Sequence, residues 1–516
     1  MLRLPHLALL IVAFLLLIAP PSWAQGAGAA PTLRTLLEGE GLLALEGRDL
    51  DRSVLAPIYA AYGYESLWVS SPKREAALQA ALAGAEAHGL DAAPFRVAAG
   101  RAEERDLLLT DAFLRYAQAL ARGRVSAAET ESDWGYAVAA FDGPATLAQA
   151  LSGEVGEVLA GLAPSDPGYR RLQQALTRYR AITVAGGWRR LPEGPALRPG
   201  DEGSTVALLR RRLAAEGYLV AARADAAFDD ALADAVRRFQ AQHGIAIDGM
   251  VGPATFRALN ISAAARIEQI ADNLERWREL PRGWPMTRIE VNVPAASLTV
   301  IEHGEAALVM RAIIGAEDHP TPALRARVNA VLFNPAWTVP ASIVTNEILP
   351  RLKRDPRYLE RNHYAYLGRP RASALQQRPG PNNALGRVKF EMPNLYDVYL
   401  HDTPSHPQFG QPIRALSHGC VRLEDPRRLA AYLLANQPGW DAADIDRVID
   451  RGATERVALT HSMPVYLLYW TAFSDTEGNA EFRDDLYGRD RRLAAAIAER
   501  DNRERPAHNA TATAAN

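Results

Sequence analysis

The chain has 516 residues, a formal net charge of −2 from 58 Lys+Arg and 60 Asp+Glu, an apolar share of 48%, and one cysteine. Near-neutrality excludes a global field that would draw it to nucleic acid or an anionic membrane, and the length allows two or three domains. A single cysteine excludes an intramolecular disulfide. Arg3 is followed by an apolar run of 13 residues, Leu7 to Ala19, shorter than the roughly 20 needed to span a bilayer. Small residues at Ser22 and Ala24 fit the −3 and −1 positions of a signal-peptidase site. The expectation is a signal peptide over 1–24, cleaved after Ala24, with an uncleaved anchor as the alternative.

From about Leu36 to Arg180 the apolar period is helical. Leu78, Leu82 and Ala85 form one stripe with Gly89 as a stop, Phe113, Tyr116 and Leu120 form another, and Tyr169–Ile182 is a third helix. No polar cluster in this region reads as chemistry, so 31–185 is expected to be a helical scaffold. The Gly/Pro-rich stretch 186–203 reads as a linker. A unit of three short helices follows over 197–260, with Ser204 as a cap, Gly217 as a stop and a turn at Asp248-Gly249. Its size suits a binding module better than an enzyme.

From Ile289 the period changes to two: Ile289, Val291 and Val293, then Leu298 and Val300, then Leu308 and Met310, with a turn in EHGE. Arg456–Phe473 reads as a final strand pair. Few long helices intervene. The fold class expected is therefore multidomain α+β: a helical scaffold, a small three-helix module, and a mainly antiparallel β catalytic domain over 286–475. The tail 501–516 is polar and expected to be disordered.

The lone cysteine lies in LSHGCVR, 416–422. Oxidising compartments favour paired thiols, and a leftover one suggests reactivity or intermolecular pairing; a small buried apolar residue is the bland reading. Its neighbours decide. DVYLHDTP puts His401 at the end of a β run, with Tyr399 on the same face and Val398 and Leu400 opposite, and His401 precedes Cys420 by 19 residues. That length brings a second strand back beside the first, where an imidazole activates a thiol. Gly419 allows unusual torsions and places amides near Cys420 for an oxyanion. In an extended segment Arg422 leaves the same face as Cys420 and can hold a carboxylate or favour the thiolate. Asp425-Pro426 starts a helix just beyond. His418 and His406 compete with His401 as base on spacing alone. Asp402 either orients His401 or stabilises the turn at Thr403-Pro404. One cysteine with scattered histidines lacks the spacing of a closed zinc site, so neither metal nor cofactor is expected.

HDTP…RALSHGCVRLEDP resembles the catalytic signature of the L,D-transpeptidases, the YkuD-type domain. VNVP, FNPAWTVP, SIVTNEILP and PGPNNALGRVKF are similar to the large periplasmic, YcbB-like branch, and YGYESLWV and HGLD to that branch's scaffold domain. Leu197–Asn260 resembles the three-helix peptidoglycan-binding domain. The resemblance implies Cys420 as nucleophile and His401 as base, with His418, Gly419, Arg422 and Tyr399 around substrate and oxyanion. It implies a loop over Leu349–Asn383 capping the site, and a binding module inserted into the scaffold, with the helices before Gly186 and at Ile261–Glu279 packed together. It also implies a periplasmic enzyme of cell-wall biogenesis and cell shape, using peptidoglycan stem peptides, acylated by carbapenem β-lactams, working beside other cell-wall enzymes and without nucleic acid. With water as acceptor the same chemistry gives a carboxypeptidase, while a papain-like endopeptidase usually places Cys before His, the reverse of the order here. Sortases lack the SHGC context. A non-catalytic peptidoglycan-binding protein would not require Cys420, His401 and Arg422 together.

Overall fold

The computed structural model describes residues 30–126, 130–137, 140–220, 226–368 and 374–504. The expected signal peptide lies outside them. Among the described residues no helix is long and apolar enough to cross a membrane.

The first region is helical, with Ala102–Arg122 at its centre. Its stripe of Leu109, Phe113, Tyr116 and Leu120 is buried against Trp68, Leu78, Leu82 and Leu159. The next helix, Pro167–Val184, packs against Ala263–Glu279, a partner far along the chain. Tyr169, Leu172 and Leu176 share one core with Ile270, Leu274 and Trp277. The small module is thus inserted between two helices that close over its entry and exit.

The module's helices are Ser204–Ala215, Asp230–Gln242 and Pro253–Leu259, built around Leu209, Leu213, Val236 and Phe239. Ser204 is not the cap expected of it: Gly203, at φ +134°, is the N-cap and Ser204 the first helical residue. The Asp229 side chain caps the second helix by accepting from the Leu232 amide. The module is seated rather than tethered. Buried Arg212 lies 3.5 Å over the Trp188 ring and bonds Glu216, which also accepts from Tyr179 of the scaffold. Arg483, beyond the β domain, donates to the Gln242 carbonyl.

The β domain alternates as its sequence does. Glu302 and Glu305 pair across a tight turn at His303 (φ +52°) and Gly304 (φ +89°), the two positive φ values of a hairpin turn that matches strand twist. Arg288–Asn292, Ser297–Glu302 and Glu305–Gly315 form an antiparallel meander. Val421–Leu423 then pairs antiparallel with Glu305–Gly315, and Leu400–His401 runs parallel to Val421–Leu423. Val388–Glu391 pairs with both Leu400–His401 and Ala323–Phe333. Ala323–Phe333 pairs with Glu455–Leu468, which runs parallel to Arg288–Asn292, so the sheet closes on itself and protects its edges. The pairing is mainly antiparallel, as expected. Helices Pro426–Leu434 and Ala442–Arg451 cover one side through Leu429, Ile445 and Val448.

Two expectations are corrected. The final strand pair is one 14-residue strand, Glu455–Leu468, whose pairing skips between Ala458 and Met463, and Pro464 is tolerated beside that irregularity. The tail is helical at its start, since Arg489–Glu504 is a helix whose Arg489 and Arg492 pair with Asp133 and Glu131. The rest of that tail lies outside the described residues.

Candidate active site

Three short strands build the site. Lys389 stands opposite His401, and His401 opposite Arg422. The Val421 amide donates to the Tyr399 carbonyl, 3.1 Å, which continues the parallel register and sets Tyr399 beside Cys420. Alternation then sorts the side chains. Val388, Phe390, Leu400, Val421 and Leu423 enter the core. Lys389, Tyr399, His401, Cys420 and Arg422 emerge together on the other face.

Cys420 sits just before its strand, in a turn held at every residue. Gly419 adopts φ +104°, a conformation that favours glycine. Its carbonyl accepts from buried Thr321 Oγ1 at 2.8 Å, and Thr321 Oγ1 in turn accepts from the Gly315 amide. Ser417 Oγ donates to the Cys420 carbonyl (2.5 Å) and accepts from the Gly419 amide (3.2 Å). This corrects the oxyanion role expected of Gly419: its N–H is spent inside the turn, and the residue serves geometry.

His401 is buried, and its Nδ1 meets the Asp402 carbonyl at 2.5 Å. That bond assigns the proton to Nδ1 and leaves Nε2 as the acceptor. Burial first, then the Arg422 charge, pushes the imidazole down to about 3, against hydrogen bonds to the Asp402 and Leu385 carbonyls. The ring is neutral at physiological pH. Both suggested roles of Asp402 hold, on different atoms. Its backbone orients His401, while its carboxylate accepts from the Arg387 and Thr403 amides and pins the turn.

Burial pushes the Cys420 thiol up, opposed by hydrogen bonds from the Tyr399 amide and phenol and by the charges of Lys389 and Arg422. The sulfur lies 4.0 Å from the Asp397 carbonyl. Among the described residues no hydrogen bond joins Cys420 to His401. Side chains two apart on one strand face are separated by about 6.5 Å along the chain, so the two are diagonal neighbours on one face. Arg422 approaches Gln408 Oε1 at 3.5 Å, and its buried Nε has no partner among the described residues.

His418 turns away from the thiol. Its Nε2 pairs with Glu347 Oε1 at 2.7 Å, and its ring meets His319 edge-on. His406 faces Asp402 at 3.6 Å. Neither replaces His401 on the Cys420 face. Glu347 belongs to a cap that starts earlier than the Leu349 expected. Trp337–Thr338, Ala374–Gln377 and Tyr364–Leu367 make a small sheet, with short helices between and their own core of Val339, Ile348 and Leu375. Trp337 reaches the site by bonding the Tyr399 phenol. Sequence reading passed over Lys389 and Glu347. Alternation in GRVKFE carried a signal for Lys389, since Val388 and Phe390 point inward; Glu347 had none.

Residues 286–449 match the family model of the L,D-transpeptidase catalytic domain, YkuD. This stretch is similar to an L,D-transpeptidase catalytic domain. Residues 53–176 match a scaffold domain, and 202–259 a "Putative peptidoglycan binding domain". The "Putative L,D-transpeptidase" of Haemophilus influenzae is 32% identical over 246 residues, 44% of this chain and 49% of that protein. The N-acetylmuramoyl-L-alanine amidase CwlM of Mycobacterium tuberculosis is 40% identical over 79 residues, 14% of this chain and 20% of that protein. The chain thus spans about half the length of the first relative and a fifth of the second. Among solved structures, the L,D-transpeptidase of Xylanimonas cellulosilytica is 19% identical with a TM-score of 0.19, covering 54% of this chain and 100% of that one. L,D-transpeptidase 3 from Mycobacterium tuberculosis, in complex with a faropenem-derived adduct, is 15% identical with a TM-score of 0.17, covering 36% of this chain and 61% of that one. Tyr399, His401 and Cys420 all fall inside the residues that match the transpeptidase model.

Proposed function

We propose that the protein is an exported, periplasmic L,D-transpeptidase of peptidoglycan. The observation that carries this reading is the single sheet face on which Tyr399, His401, Cys420 and Arg422 stand in register. The Cys420 proton passes to His401 Nε2, and the sulfur attacks the carbonyl at the L-centre of the third residue of a tetrapeptide stem. The Cys420 amide donates to the oxyanion, since the Gly419 amide is engaged. The C–N bond to the terminal D-alanine breaks, His401 returns the proton to the leaving amine, and a thioester remains. The side-chain amine of a second stem attacks that thioester, gives its proton to His401, and displaces the thiolate, leaving two third residues cross-linked. A thioester suits this step because it stays reactive toward amines. Arg422, whose buried Nε has no partner among the described residues, holds a substrate carboxylate. The inserted module anchors the enzyme to the wall, beside other cell-wall enzymes. A carbapenem enters the same first step, but its leaving amine stays tethered, so the adduct persists.

Intact-protein mass spectrometry with a carbapenem tests this. The wild-type protein gains the drug's mass, Cys420→Ala does not, and His401→Ala reacts roughly 100-fold more slowly or worse. Muropeptide analysis then reads the cross-link. A folded wild-type protein with no adduct would overturn the reading in favour of a wall-binding protein.

A further inference from the structure

Lys389 has a place but no structural employment. It emerges on the Cys420 face, in register with His401, and its ammonium lies 3.9 Å over the Tyr399 ring, within range of a cation–π contact. Among the described residues it makes no ion pair. The carboxylate two residues on, Glu391, is taken by Arg456 at 2.7 Å. Placing a lysine in a half-buried position without a carboxylate costs desolvation, and burial does push this ammonium down, offset by the charges of Glu391, Cys420 and Asp397.

The titratable and charged groups around Cys420 come from every neighbouring element, and of them Tyr399, Lys389 and Arg422 act on the thiol directly. Lys389 rises from one strand, and Asp397, Tyr399 and His401 from the next. Arg422 lies on the cysteine's own strand and His418 in its turn, and Glu347 and Trp337 descend from the cap. Lys389 and Arg422 are the permanent cations of this set. Arg422 also feels Glu347, which is itself bonded to His418 and Arg351. Lys389 has the Tyr399 ring as its seat and feels the charges of Glu391, Cys420 and Asp397, of which Glu391 is already paired with Arg456.

We propose that Lys389 is a positioning residue for Cys420: seated on Tyr399, its ammonium supplies the positive charge that stabilises the thiolate, while His401 is left to move protons. The inference rests on Cys420 being the nucleophile of the proposed reaction. It sets this site apart from a thiolate–imidazolium pair, in which the histidine carries the compensating charge.

The test is the pH–rate profile for alkylation by iodoacetamide, in which the S–C bond forms as C–I breaks and iodide leaves, the thiol proton going to solvent. Lys389→Met lowers the rate at pH 7 about tenfold, one unit of displacement, yet reaches the wild-type plateau at high pH. Lys389→Arg restores the wild-type profile. His401→Gln alkylates as wild type does while losing carbapenem acylation. A Lys389→Met profile that superimposes on wild type overturns the proposal, and so does a loss at every pH, plateau included, that arginine fails to rescue. Melting curves screen each variant for folding, and Lys389→Gln replaces a methionine variant that unfolds. Alkylation reads the thiol alone. A displaced profile in a protein that forms no carbapenem adduct would keep this proposal and overturn the transpeptidase; cross-linking with an undisplaced profile would do the opposite.

Discussion

Asp106 in the helical scaffold and Cys420 in the β domain are both ionisable groups in largely buried surroundings, and their neighbours treat them differently. The Asp106 carboxylate accepts five hydrogen bonds, from Tyr59, Ser66 and the amides of Leu67, Trp68 and Val69. It ties the LWV segment to the central helix and leaves nothing for a ligand. Around Cys420 the satisfaction is incomplete: the sulfur has a weak acceptor at 4.0 Å, Arg422 Nε has no partner among the described residues, and Lys389 has no ion pair among them. Buried polar groups cost free energy unless paired. A chain that completes the pairing in one region and leaves it open in another keeps the second for an incoming group.

The largest expected effect compares the two regions by acid. His88 in the scaffold and His401 in the active site are pushed down to about 4 and about 3, each chiefly by burial, and His243 at the module contact lies well below its ordinary value, also by burial. The folded chain then binds fewer protons than the unfolded one. Stability is complete above about pH 6.5 and falls on acidification toward those values, by about 1.4 kcal/mol per pH unit for each such histidine. Urea titrations between pH 7 and 4 read the slope. His88→Gln removes about a third of it, and an unchanged slope would mean that the scaffold histidine titrates normally.

Asp106→Ala leaves the Leu67, Trp68 and Val69 amides without their acceptor while Tyr59 keeps Thr110, and is expected to cost about 3–5 kcal/mol. Arg422→Met is expected to cost under about 1.5 kcal/mol while slowing carbapenem acylation. Denaturant melts beside acylation rates decide, and equal destabilisation by the two would erase the contrast. Gly419→Ala comes next. A Cβ there would meet the Pro320 carbonyl at a tolerable 3.5 Å, so its cost is the φ of +104°, about 1–3 kcal/mol. The melting temperature drops by a few degrees, and acylation drops further because the turn that aims Cys420 shifts. The smallest effect belongs to Glu347→Gln, which weakens a half-exposed pair with His418. Stability changes within about 0.5 kcal/mol, and the readout is a rise in KM without a matching fall in kcat.

The sequence by itself determined what is local. The helical stripe of Phe113, Tyr116 and Leu120, the Asp425-Pro426 helix start and the His303-Gly304 turn follow from spacing and backbone sterics within a few residues. So does the division of Val398 and Leu400 from Tyr399 and His401, and Gly419 signalled the unusual torsion it adopts. The tertiary structure decided which of several local candidates met. Strand register put His401 on the cysteine's face, while His418 pairs with Glu347 and His406 faces Asp402. Asp402 acts on His401 through its carbonyl rather than its carboxylate, a matter of chain direction at the end of a strand. Lys389 became part of the site when Val388–Glu391 paired with Leu400–His401. Periodicity says which way a side chain faces along its own strand, and cross-strand pairing says what it faces. That second choice is made by the closure of the whole sheet, where each strand's neighbours are selected by packing against a shared core rather than by anything written within the strand.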